Sequence, residues 1–315
     1  MKELSALLTR HCRDNITATP IPRLTLSRSD VTTELSAAIY SPLIFILAEG
    51  RKRVFLGNEV FYYNPETYLV ASTDLPVSGQ VIEAPYFGLT LALDRAILAE
   101  LLLNLPASPR ANAASLALAV TPLEEDGLLD PILRLLRLLD EPTHIPELAP
   151  LIEREILFRL LLGSRGQMVR QLATPCSQLS HISRAINLIR QRFDQSIRVE
   201  ELARVAGMSA PSFHRHFREV TTMSPLQFQK QIRLQEARRR LLSSAMDAAS
   251  VGFDVGYESP SQFNREYRRM FGAPPGRDML RQRLNLKAKE SRSLGHAGTR
   301  NSSAGRTSRQ VRIAS

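Results

Sequence analysis

Two stretches decide how this chain folds: Ser209–Pro225, SAPSFHRHFREVTTMSP, and Ser259–Pro275, SPSQFNREYRRMFGAPP. They lie fifty residues apart and share one layout. Ser209, Pro211, Phe213, Arg215, Phe217, Arg218 and Pro225 recur as Ser259, Ser261, Phe263, Arg265, Tyr267, Arg268 and Pro275. Aromatic residues four apart fall on one face of a helix. Phe213 and Phe217 therefore point inward in the first copy and leave Pro211, His214, Arg215 and Arg218 outward. Phe263 and Tyr267 do the same in the second and leave Ser261, Asn264, Arg265 and Arg268 outward. A supporting helix precedes each copy, over Glu200–Ala206 in one and through Ala248, Ala249 and Val251 in the other. Gly207 and Gly256 then supply the positive φ of a tight turn. Ser209 and Ser259 stand at N-cap positions, where a hydroxyl can accept from a free backbone N–H, and Pro260 takes the favoured first helical position.

This layout is that of a helix-turn-helix whose second helix enters a groove of duplex DNA. The planar fork of arginine gives paired hydrogen bonds to guanine, and asparagine does the same for adenine. The outward residues of each copy therefore lie where a groove would lie. Ser209, Arg218, Ser259 and Arg268 are the candidate phosphate contacts. Ordinary solvated helix faces are the competing reading, and it weakens when two copies agree in register. Between the copies, Pro225 to Leu242 reads as one helix with Phe228, Ile232, Ala237 and Leu241 apolar. At ~1.5 Å per residue it is a strut of roughly 27 Å. Arg238, Arg239 and Arg240 cannot all face one way on it, so no more than two approach phosphates.

Charge follows the same division. Residues 1–180 hold 16 Lys or Arg against 20 Asp or Glu, net −4, whereas residues 181–315 hold 25 against 11, net +14. Solubility alone does not require such segregation; a phosphate backbone facing one half does. Cys12 and Cys176 are too few for a disulfide framework or a Cys-based zinc site and fit a reducing cytoplasm. The first fifteen residues, MKELSALLTRHCRDN, lack the unbroken apolar core of a signal peptide, and no run reaches the length of a membrane span. The expectation is a cytoplasmic, nucleoid-associated protein with no membrane partner.

From Ile21 to Leu93 the chain offers short alternating runs separated by turn formers, with Gly57-Asn58 as a hairpin signal and Asn64-Pro65 starting the next turn. They predict a small antiparallel barrel or sandwich. Five of the seven tyrosines, Tyr40, Tyr62, Tyr63, Tyr68 and Tyr86, fall here and either build core and surface ladders or line a pocket. Arg51, Lys52 and Arg53 read as alternating exposed strand charges, an anionic effector being the alternative. Helices are expected over Asp94–Leu103, Gly127–Leu139 and Glu147–Leu162, with LALAV as a further strand. The leucine-rich pair packs on the barrel or forms a homodimer seam. RGQMVRQLATPCSQLS reads as the bridge between halves. After it, Ile182, Ala185, Ile186, Ile189 and Phe193 form one helical stripe. Beyond about Leu284 the Ser-, Gly- and basic-rich sequence reads as a disordered tail adding nonspecific DNA affinity.

The stretch from about Ser183 to Arg283 resembles the DNA-binding domain of AraC/XylS-family transcription regulators, on VEELARVAGMSAPSFHRHFREVTTMSPLQF and VGYESPSQFNREYRRMFGAPPGRDML. SPLIFILAEGRKRVFLGNEVFYYNPETYLVASTDLPVSGQV is similar to the N-terminal effector domain of one branch of that family. The resemblance implies an α+β protein: a small, cupin-like N-terminal β-barrel with a helical hairpin, then an all-α domain of two helix-turn-helix modules joined by a linker helix. The boundaries are 1–175 for effector sensing and dimerisation, 180–284 for DNA binding and 285–315 for the tail. It further implies a sequence-specific regulator, usually an activator, controlled by an unidentified small-molecule effector, with double-stranded DNA, a second copy and RNA polymerase as partners. By the same resemblance the base contacts map to Pro211, His214 and Arg215 on the first recognition helix and to Ser261, Asn264 and Arg265 on the second, and Pro211 departs from the larger residues common at its position.

A barrel enzyme with a DNA anchor is the rival from another class. No histidine lies between His11 and His144 to help build a metal site, and His214 and His216 lie on different faces of their helix. The expectation is no catalytic residue, metal or cofactor. An architectural DNA protein without sequence preference is the other alternative, opposed by the outward Arg and Asn residues.

Overall fold

The runs between Ile16 and Pro122 pair into one antiparallel sheet in a computed structural model that describes residues 1–106, 116–175, 177–243 and 246–282. The expected tail 285–315 and Cys176 lie outside the described residues. The strands are β1 (Ile16–Ala18), β2 (Leu24–Ser29), β3 (Ser36–Tyr40), β4 (Leu43–Leu56), β5 (Glu59–Tyr63), β6 (Thr67–Ala71), β7 (Leu75–Ala92) and β8 (Leu118–Pro122). Their order is β1-β2-β7-β4-β6-β8, with β3 beside β7 and β5 beside β4. The α+β reading therefore holds, while the sheet is an open path among the described residues, not the closed barrel expected. Two long strands, β4 and β7, carry it, and they bend where the register shifts between Leu47 and Lys52. Gly50 lies in that bend with φ +80°, and a Cβ there would stand 2.6 Å from the Glu83 carbonyl. Only glycine suits both conditions. Gly57, φ +58°, makes the expected two-residue turn between β4 and β5.

Helices cover this sheet. The first residues form α1 (Lys2–His11), an element the sequence reading did not anticipate; Leu4, Leu7 and Leu8, three and four apart, are its buried face. It packs on β4, β7 and α3. Helix α2 (Arg95–Leu103) begins where expected, because the Asp94 carboxylate accepts from the backbone N–H of Ala96 and Ile97 at 2.8 and 3.3 Å. The leucine-rich pair becomes α3 (Leu129–Arg137) and α4 (Ile145–Leu162), which pack on each other. Arg23 reaches the buried Glu153 of α4 through two bonds of 2.7 and 2.6 Å. The stretch read as a bridge contains a helix of its own, α5 (Gly166–Ala173), because Met168, Val169 and Leu172 can all be buried at helical spacing.

The remaining helices are α6 (Gln178–Gln191), α7 (Val199–Val205), α8 (Ala210–Thr221), α9 (Pro225–Ser243), α10 (Ala248–Asp254) and α11 (Pro260–Phe271). The chain divides into two compact units, Met1–Gln235 and Glu236 onward. The first includes α7 and α8 together with the sheet. Within it, the Ala117 N–H donates to the Val220 carbonyl at 3.1 Å, and Thr222 Oγ1 donates to the Leu56 carbonyl at 2.8 Å. Ser183 and Thr73 share a buried 2.9 Å bond, and Gln235 Nε2 donates to the Val77 carbonyl at 3.0 Å. The second unit is built on α10 and α11.

Candidate nucleic-acid interface

Each candidate recognition helix is fixed from behind by aromatic residues. In α8, Phe213 and Phe217 are fully buried with ring centres 5.3 Å apart, and Phe217 meets Phe228 of α9 edge-on at 5.4 Å. In α11, Phe263 and Tyr267 are fully buried and 5.5 Å apart, and the row continues from Tyr257 at 5.4 Å to Phe271 at 4.5 Å. Burying side chains of this size contributes about 1.5–3 kcal/mol each. With the aromatic faces inward, the opposite faces are set. Pro211, His214, Arg215 and Arg218 are exposed on α8, and Ser261, Asn264, Arg265 and Arg268 are exposed on α11. All eight stand where the helical period places them.

The turns follow the sequence too. Gly207 has φ +65° and Gly256 φ +90°. Ser209 and Ser259 occupy the N-caps in extended conformation, yet neither side chain makes the expected cap hydrogen bond. Each helix has a proline in its first two positions, Pro211 or Pro260. Proline has no N–H, so Pro211 removes one of the two donors a cap hydroxyl can reach. The C-termini also match, in left-handed conformations at Thr222, φ +62°, and Gly272, φ +78°.

Electrostatics separates the basic residues into exposed ones and ones held in ion pairs. On α8, His216 is only partly exposed and bonds Glu219 Oε2 at 2.8 Å, and Gln178 also contacts its ring. It is not on the face that carries His214. Arg215 Nη2 comes within 3.3 Å of His216 Nε2. Sequence reasoning missed the main ion pair of the second unit. Arg238 is buried, gives Asp278 two bonds of 2.8 and 3.0 Å, and lies 4.6 Å over the Phe271 ring. Tyr267 donates its phenol to the same carboxylate at 2.8 Å, and burial and Asp278 push that phenol's pKa up. Arg238 is thereby withdrawn from the three arginines that stood as phosphate candidates. Arg239 and Arg240 both bond Glu236, whose carboxyl Arg239 and then Arg240 hold below the usual range against the opposing effect of burial. The only available signal was the register of Arg238 between Ala237 and Leu241 on the apolar side of α9. Among the described residues no group of three His, Cys, Asp or Glu side chains could hold a metal ion. No helix among them is long and apolar enough to cross a membrane.

The sheet domain is thus followed by two helix-turn-helix modules. The chain belongs to the AraC family: residues 20–168 match the AraC-type transcriptional regulator N-terminus and residues 202–281 match a helix-turn-helix domain. It is 25% identical over 153 residues to the HTH-type transcriptional regulator ArgR of Pseudomonas aeruginosa, covering 48% of this chain and 46% of that protein. It is 37% identical over 86 residues to the RCS-specific HTH-type transcriptional activator RclR of Escherichia coli K12, covering 27% and 30%. The chain spans about half the length, or less, of these relatives. In fold it is similar to ToxT from Vibrio cholerae O395 solved with (E)-4-(8-methylnaphthalen-1-yl)but-3-enoic acid, at TM-score 0.50 and 9% identity, covering 81% of this chain and 98% of that one.

Proposed function

We propose that this chain is a sequence-specific DNA-binding transcriptional regulator whose N-terminal domain takes a small-molecule effector. The supporting observation is the repeated exposed row on α8 and α11, each row held outward by buried aromatics behind it. Pro211, His214, Arg215, Ser261, Asn264 and Arg265 would read bases, and Ser209, Arg218, Ser259 and Arg268 would meet phosphates. The uncapped serine hydroxyls remain available for that role. The functional division runs at 1–175, 180–284 and 285–315, the tail adding sequence-independent affinity. The protein acts without catalysis, in the cytoplasm at the nucleoid, and contacts RNA polymerase as an activator, in keeping with its relative RclR, a transcriptional activator by name. Genomic footprinting of the bound protein tests this reading. It should return a shared motif with two adjacent protected segments, and diffuse coverage without a motif would overturn it.

The regulator would work as a homodimer. Leu148, Leu151, Phe158 and Leu162 of α4 are 42%, 64%, 38% and 56% exposed, at spacings that keep them on one stripe. Leu151→Glu should shift the protein from dimer to monomer in sedimentation equilibrium while its melting temperature holds. An unchanged mass would remove this seam from the account.

A further inference from the structure

One lysine of the sheet domain points inward and meets phenols instead of an acid. Lys52 lies on β4 opposite Tyr63 of β5 and Val81 of β7, and shares its parity with the fully buried Val54 and Leu56. Its Nζ is 4.9 Å from the centre of the Phe45 ring and 5.7 Å from that of Tyr86. Phe45 packs in turn against Tyr63 at 5.6 Å and Tyr86 at 6.4 Å. Gly79 of β7 leaves room for the lysine stem, since a Cβ there would stand 3.2 Å from Lys52 Cε. Its sequence neighbours contribute no charge to this chamber: Arg51 lies 3.8 Å from Glu83, and Arg53 donates to Gln80 Oε1 at 2.9 and 2.6 Å.

The polar groups facing Lys52 are phenol hydroxyls, which can both donate and accept. The hydroxyls of Tyr40 and Tyr63 are buried and have no hydrogen-bond partner among the described residues. The Tyr86 hydroxyl has one long contact, 3.3 Å to Ser27 Oγ. Burial pulls the lysine pKa down, but Tyr40 and Tyr86 outweigh it and hold the group above its ordinary value. Burial pushes the Tyr63 and Tyr86 phenols up. A half-buried cation with no acid partner among the described residues, beside buried hydroxyls without partners, is stabilised when an anion completes it. One charge calls for a monoanion, and an ammonium with two phenols suits the two oxygens of a carboxylate. A cleft of about 560 Å³ lies beside Val60, Leu118 and Met168, but its cation, Arg165, already donates to Thr121 at 3.1 Å.

We infer that Lys52, Tyr40 and Tyr63 form the head-group site for a small organic monocarboxylate, with Phe45 and Tyr86 as walls for its apolar body. The inference rests on the reading of the sheet domain as an effector domain and supplies the effector's chemical class. Calorimetric titration of the full chain with benzoate and octanoate, against benzamide, octanamide and inorganic phosphate, tests it. At least one carboxylate should bind, its amide should bind at least tenfold more weakly, and phosphate should not compete. Lys52→Met should lower the carboxylate affinity at least tenfold, about 1.4 kcal/mol. The unliganded variant should melt no lower than the parent, because a methionine removes a half-buried charge that has no acid partner among the described residues. If Lys52→Met does not fold, Tyr63→Phe, which keeps the ring, should show a several-fold loss. Binding of neither carboxylate, equal binding of the amides, or unchanged affinity in the folded variant would overturn the assignment. Selection of bound duplexes without ligand separates the two claims: a retained motif with no carboxylate binding removes the effector class alone, whereas a lost motif removes the regulator reading.

Discussion

Among single residues, similar arginines stand in opposite surroundings. Arg215 and Arg265 are exposed on faces whose backs are fixed, and Arg238 is buried against Asp278. Replacing Arg265 or Arg215 by Ala should weaken binding to the preferred duplex by about 1–3 kcal/mol and relax preference at one base position, read by competition against single-base variants. Equal losses on preferred and random DNA would contradict base reading. Replacing Arg238 by Ala should instead cost about 3–5 kcal/mol of stability in urea unfolding, because Asp278 and the Tyr267 phenol would keep their burial without the cation. A loss below about 1 kcal/mol would show that the pair is not a structural element of the second unit. The exposed rows were legible in sequence because a helical period fixes both faces at once. The Arg238–Asp278 pair was not, since its partners are forty residues apart and only tertiary packing joins them.

Elements were legible in proportion to their length and periodicity. The α9 strut appears as one helix of 19 residues with Phe228, Ile232, Ala237 and Leu241 buried, and α2 starts at its capping aspartate. Short α1 and α5 escaped because ten and eight residues carry few turns of pattern, and α5 follows a Gly-Ser-Arg-Gly break. Face assignment on β4 was the subtler failure. The alternation of Arg51, Lys52 and Arg53 was plain, but a shift of one residue exchanges the faces of a strand, and the irregular register between Leu47 and Lys52 precedes them. The matched helix ends offer an element-scale test. Gly272 closes α11 at φ +78°, and a Cβ there would meet nothing within 4 Å. Gly272→Ala should therefore cost about 1–2 kcal/mol from backbone conformation alone. No change in the unfolding midpoint would mean that α11 frays before the turn.

For the whole molecule, the segregation of charge into the second half was the broadest signal in the sequence, and both family domains fall on either side of it. Sequence could not show that the first helix-turn-helix shares a compact unit with the sheet, through such contacts as Thr222 to Leu56 and Gln235 to Val77. Strand β4 carries both Lys52 of the inferred carboxylate site and Leu56, whose carbonyl receives Thr222 at the end of α8. Lys52 and the carbonyl that receives the end of α8 are thus four residues apart on one strand. The central claim is that this fold reads DNA sequence. A duplex enriched by selection, competed against a scrambled duplex of equal length and composition at one fixed salt concentration, tests it most directly. The account predicts at least about a thousandfold preference for the selected duplex, and equal displacement by both would contradict it.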